Sequence, residues 1–106
     1  MNEQLQRYLR SLTHSPKTII GAVSSGFNVP TSLLLGKDRH KSIARARFAG
    51  YLLMRRAGYS YPEIGRSFGG RDHTTAINGC KRAELMVATD SAFAVMISHI
   101  ERSIGE

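Results

Sequence analysis

The stretch "SYPEIGRSFGGRDHTTAINGCKR", Ser60–Arg82, decides the fold. Ser60 precedes Glu63 with the S-x-x-E spacing of a capping box, and Pro62 falls in the first turn that such a cap would start. Ile64, Gly65 and Phe68 share one face of a helix of about two turns. Gly69-Gly70 then breaks it. Asp72 is a good N-cap, because its carboxylate can accept from the free backbone N–H groups behind it. Thr75, Ala76, Gly79, Cys80 and Ala83 give the next helix a face of small residues, which permits close packing. That helix is expected to run past Leu85 towards Ala88. A short helix, a glycine turn and a second helix make a helix-turn-helix, placed at residues 60–88.

Working outward, the helical period continues almost everywhere. Leu5, Tyr8, Leu9 and Leu12 fit a short amphipathic helix, so residues 1–14 read as a helical extension. Ser15-Pro16 reads as an N-cap with proline at the first helical position. Ile19, Ile20, Val23 and Phe27 line the helix that follows, and Gly26 and Asn28 suit its end. "VPTSLLLG" forms a helical turn stopped by Gly36. The charged loop "KDRHKSIARAR" runs into a helix near Ser42, with Ile43, Ala46, Ala49, Gly50, Leu53 and Met54 as its buried stripe and Gly58 as its stop. Arg45, Arg47, Arg55 and Arg56 are expected to stay in water. Asp90 or Thr89 starts a last helix, with Phe93, Met96, Ile97, Ile100 and Ile104 inward. Met54, Met86, Met96, Phe27, Phe48, Phe68 and Phe93 read as core, and Tyr51, Tyr59 and Tyr61 as half-exposed. No strand pair or hairpin signal occurs. The fold class is all-α, a small helical bundle in a single domain over residues 1–106.

The chain has 106 residues, 42% of them hydrophobic, which suits one modest core and excludes a disordered chain. Its apolar runs are too short for a membrane span, and "MNEQLQRYLRSL" lacks the core of a signal peptide. A soluble cytoplasmic protein with no membrane partner is expected. The lone Cys80 allows no internal disulfide. The net charge of +7 is unevenly placed: residues 1–36 sum to +2, residues 37–82 to +8 and residues 83–106 to −3. A basic middle between near-neutral ends points to a polyanion, above all nucleic acid.

Asp72, His73, Thr74 and Thr75 invite two readings. Nucleophile, base and orienter must reach one another. Adjacent helical residues point about 100° apart, so these do not face each other. The histidines His14, His40, His73 and His99, with Cys80, lack the paired spacing of a metal site, so no metal or other cofactor is expected. In a helix-turn-helix, by contrast, the first residues of the second helix enter the major groove. A carboxylate accepts from the cytosine amino group, threonine offers a hydroxyl or a methyl, and imidazole can hydrogen-bond or pack. The helix start also favours a nearby phosphate. The bare charge pattern adds Lys37, Lys41 and Arg71 as phosphate contacts.

The "GGRDHTT" core resembles the signature of the C-terminal DNA-binding domain of the bacterial replication initiator DnaA. "IIGAVSSGFNVPTSLLLGKDRHKSIARARFAGYLL" is similar to the upstream part of that domain, and the resemblance covers residues 17–104. It implies the domain IV fold, which is TrpR-like, and double-stranded DNA as partner, at a nonamer of the TTATCCACA type. It implies a minor-groove role for Arg39, phosphate and base contacts for Arg45 and Arg47, and a backbone contact for Arg55. Pro62 would pack towards a thymine or the backbone. Asp72, His73 and Thr74 would read bases in the major groove, Thr75 would touch a phosphate or base, and Lys81 and Arg82 the backbone.

Two departures stand out. The family's "ARPRQ" is "ARARF" here, Ala44–Phe48, so Ala46 replaces a proline and Phe48 a glutamine that hydrogen-bonds. The connection "RRAGYSY" is about one residue shorter than the family's. No G-x-x-x-x-G-K-[ST] loop occurs, so no nucleotide partner and no ATPase are expected. The reading is a box-binding regulator of replication initiation or transcription. The other reading is a protein-interaction module that keeps the fold and meets a partner, or a second copy, through its N- or C-terminal helix.

Overall fold

The computed structural model describes residues 3–5, 8 and 14–105. Among these, all regular structure is helical, in agreement with the period of the sequence. Glu3–Leu5 and Tyr8 are helical and exposed, whereas Leu9 and Leu12 of the expected N-terminal stripe lie outside the described residues.

Local caps set most boundaries. Helix α1 spans Pro16–Phe27; the Ser15 hydroxyl accepts from the Thr18 N–H at 3.2 Å, and Asn28, left-handed at φ 54°, closes the other end. Helix α2 is the single turn Thr31–Leu35, ended at Gly36. Helix α3 spans Lys41–Arg56. Helix α4, Tyr61–Ser67, starts at Ser60, whose hydroxyl accepts from the Glu63 N–H and donates to Glu63 Oε1. Helix α5 spans His73–Thr89, started by Asp72. Helix α6, Ser91–Gly105, follows Asp90, which accepts from the Phe93 N–H at 3.1 Å.

The core forms around α3, which packs against α1, α2, α4, α5 and α6. Its expected stripe of Ile43, Ala46, Ala49, Gly50, Leu53 and Met54 is buried. Phe68 and Phe93 are the largest fully enclosed side chains. Tyr51 differs from the half-exposed position expected for it, being only 2% exposed. Its ring meets Phe68 edge-on, at 4.8 Å between centroids, a favourable aromatic geometry. Burial pushes its phenol up from the ordinary value. Room for the ring comes from α5: a Cβ on Gly79 would lie 2.1 Å from Tyr51 Cδ2. Among the described residues, no single helix is long and apolar enough to cross a membrane.

The turn between α4 and α5 depends on two glycines. A Cβ on Gly65 would stand 2.1 Å from the Arg71 carbonyl oxygen, so the chain folds back against bare backbone. Gly69 has φ +81°, and a Cβ there would meet the Leu35 carbonyl oxygen at 2.2 Å. Backbone cannot yield as a flexible side chain does. Gly65→Ala is therefore expected to destabilise the protein by about 1–3 kcal/mol, read by urea unfolding. An unchanged midpoint would mean that the turn is less tightly closed.

Candidate nucleic-acid interface

The start of α5 is rigidly set and open to solvent. Asp72 Oδ1 accepts the Thr75 N–H at 2.9 Å, and that bond, followed by the Thr75 side chain, holds the Asp72 carboxyl below the usual carboxylate range. Asp72, His73, Thr74 and Thr75 are all exposed. Thr75 is thus not part of the small packed face, which consists of Ala76, Gly79, Cys80 and Ala83. On the outward face, steps of three and four residues lead from Thr74 and Thr75 through Asn78 to Lys81 and Arg82, all exposed. Asn78 was not among the residues expected from sequence. Its spacing from Thr74 and Thr75 was the available signal. Pro62 is exposed on α4.

The basic loop lies between Gly36 and α3. Asp38 Oδ1 accepts the His40 N–H at 2.8 Å and meets His40 Nδ1 at 2.6 Å. These bonds hold the Asp38 carboxyl below its ordinary range, and they bend the backbone around Arg39. Lys37, Arg39 and Lys41 are exposed. Further along α3, Arg55 is also exposed; it lies 4.2 Å from the Tyr61 ring centroid and donates to the Tyr59 carbonyl. Arg82 sits 5.7 Å from the Phe48 ring centroid, within cation–π range.

Three other arginines are placed differently from the expectation. Arg47, expected in water and at a base, is only 7% exposed. Its guanidinium donates to the carbonyls of Leu34, Asp38, Leu33 and Gly36 at 2.7, 2.6, 2.7 and 2.8 Å. That engages most of the five donors an arginine has, and leaves no edge for a base. Desolvation, then the neighbouring Arg71 charge, lowers its pKa. Arg71, expected at a phosphate, is half-buried and donates to the carbonyls of Phe68 and Gly36. Arg45, also expected at a phosphate, pairs with Asp90 Oδ2 at 2.6 Å and lies 5.1 Å from the Phe93 ring centroid. It joins α3 to the start of α6. Among the described residues, no group of three His, Cys, Asp or Glu could hold a metal ion.

Comparison with known proteins also finds a helix-turn-helix. Residues 16–83 match the family described as the bacterial dnaA protein helix-turn-helix. The chain belongs to this family. The matched span runs from the start of α1 to Ala83 on α5. The chromosomal replication initiator protein DnaA of Ruegeria pomeroyi is 42% identical over 83 residues, covering 77% of this chain and 18% of its own length. The same-named protein of Crocosphaera subtropica is 35% identical over 97 residues, 91% of this chain and 21% of its own. That of Bartonella quintana is 35% identical over 112 aligned positions, 98% of this chain and 23% of its own. The chain therefore spans about a fifth of the length of these relatives. It is a DnaA-type DNA-binding helix-turn-helix domain.

The burial of Arg47 has a measurable consequence. Arg47→Ala removes a charged hydrogen-bonding group from four carbonyls and is expected to cost about 2–4 kcal/mol of folding stability. Arg39→Ala, at an exposed site, should stay within about 0.5 kcal/mol. Chemical unfolding of both variants checks this, and equal stabilities would return Arg47 to the surface.

Proposed function

We propose that the protein binds double-stranded DNA at a DnaA-box-like nonamer, and that these residues do so without hydrolysing nucleotide. The observation that carries this reading is the pairing of two exposed elements: the cap-fixed start of α5 and the basic loop around Arg39. His73 and Thr74 would read base edges in the major groove, with Asp72 dividing its oxygens between cap and cytosine. Asn78 joins them, since an asparagine amide suits adenine. Arg39 would enter the minor groove, where a narrow A·T-rich width attracts arginine. Pro62 would pack against a thymine or the backbone. Lys37, Lys41, Arg55, Thr75, Lys81 and Arg82 would meet phosphates.

Residues 17–104 would form the DNA-binding domain, with the helix-turn-helix at 60–88 and residues 1–14 as an extension. The chain's place would be the cytoplasm, on the nucleoid, as a regulator of replication initiation or of transcription. Overexpression, with origin firing and transcripts near such boxes as readouts, separates these two roles.

Selection from a random duplex pool is expected to return a box-like nonamer. With the five cations Lys37, Lys41, Arg55, Lys81 and Arg82 on phosphates, log K should fall against log salt with a slope of about −4 to −5. A flat response, or no preference for the box over scrambled duplex, would refute the reading.

Single substitutions divide the readers from the anchors. Arg39→Ala, and His73→Ala with Thr74→Ala, should weaken box binding by about 1–3 kcal/mol per lost base contact while sparing scrambled DNA. Arg55→Ala should weaken both duplexes alike, and titrations on the two duplexes decide between these patterns.

A further inference from the structure

The two exposed elements are joined at one atom. The Gly36 carbonyl oxygen accepts from Arg47 and also from Arg71. Gly36 ends α2 and immediately precedes the basic loop, whereas Arg71 immediately precedes the cap of α5. The same Arg71 guanidinium donates to the Phe68 carbonyl, inside the turn between α4 and α5. Its backbone N–H donates to the Gly65 carbonyl at 2.8 Å, so the residue is anchored at both ends. Beside it, the bare Gly69 backbone lies close against the Leu35 carbonyl. Arg39 is thus separated from the junction only by Lys37 and Asp38, and His73 from Arg71 only by Asp72.

Placing two guanidiniums on one carbonyl brings like charges together, and the Arg71 charge acts on Arg47 accordingly. An uncharged donor would satisfy the same oxygen without that repulsion. What the arginine supplies is a rigid planar fork that spans two carbonyls from two separate nitrogens, a reach and geometry that the single nitrogen of an ammonium lacks. We propose that Arg71 is a positioning residue: bridging Phe68 and Gly36, it fixes the spacing between the basic loop and the start of α5, and with it the register of minor-groove and major-groove reading. This rests on the box-binding reading above. It gives Arg71 a role in specificity without a phosphate contact of its own.

The test is Arg71→Lys, which keeps the charge and removes the fork. In the free protein, backbone NMR should show shifted and faster-exchanging amides at residues 37–40, with the helical circular dichroism retained. On DNA, the preference for box over scrambled duplex should fall about tenfold, the size of one lost base contact, at an unchanged salt slope. In a double-mutant cycle Arg39→Ala should then add less than it does alone, because Arg39 is already misplaced. A phosphate contact would be kept by lysine: an unchanged preference and loop spectrum, or full additivity with Arg39→Ala, overturns the proposal. If Arg71→Lys loses helix, Arg71→Gln, with an amide that still donates to one carbonyl, takes the same measurements. If the wild-type chain shows no box preference while the loop amides respond, the box reading falls and the structural tie stands. If the wild type prefers the box and neither readout moves, the tie alone falls.

Discussion

The buried guanidinium of Arg47 is the contact on which the placement of the basic loop depends. Helix α2 is a single turn of five residues, too short to persist by its own hydrogen bonds. Its end presents carbonyls with no partner in the helix. Arg47 reaches from α3 and takes the carbonyls of Leu33, Leu34 and Gly36, then that of Asp38 in the following loop. A cation is well matched to this place, since a helix C-terminus carries partial negative charge. The cost of burying the charge is offset by hydrogen bonds to four carbonyl oxygens. The loop's point of departure from the core is thereby fixed, and the loop then closes on itself through Asp38 and His40.

The same contact changes the meaning of the chain's charge. The +8 of residues 37–82 suggests a uniformly basic surface. The structure divides those cations by task. Arg47 and Arg71 are held by carbonyls, Arg45 is paired with Asp90, and Arg56 with Glu101. What remains exposed without an acidic partner among the described residues is Lys37, Arg39, Lys41, Arg55, Arg66, Lys81 and Arg82. Arg55 and Arg82 are further oriented by the rings of Tyr61 and Phe48. Fewer cations are free to meet a polyanion than the composition implies, and those are better directed.

The helix starts were legible because their causes are local. Ser15 with Thr18, Ser60 with Glu63, Asp72 with Thr75 and Asp90 with Phe93 are each three residues apart, and the sequence displays both partners together. The buried stripe of α3 followed from period alone. The partners of the arginines are not legible because they are distant: Arg47 bonds a carbonyl 13 residues away and Arg45 a carboxylate 45 residues away. An arginine among arginines carries no local sign of which way it turns. Tyr51 was placed too near the surface for a related reason, since its burial depends on the missing side chain of Gly79 on another helix. Asn78 differs: its spacing from Thr74 and Thr75 is visible in the sequence, one turn beyond the residues that carry the motif.

Ala46 and Phe48, where the chain leaves its family's pattern, change α3 in two separate ways. A proline inside a helix removes a backbone donor and resists the regular turn, whereas alanine is the best helix former. Ala46 is fully buried, and α3 runs unbroken over Lys41–Arg56. Phe48 cannot hydrogen-bond as glutamine does. It is half-buried, tilted against Tyr51 with 6.4 Å between centroids, and its outer face carries the Arg82 guanidinium. Tyr51 in turn is seated on Gly79, one turn before Arg82 on α5. The ring therefore joins α3 to the stretch of α5 that carries Arg82, so position 48 acts through the cation it supports. The polar group beside position 48 is thus supplied from α5, by the Arg82 guanidinium against the Phe48 ring.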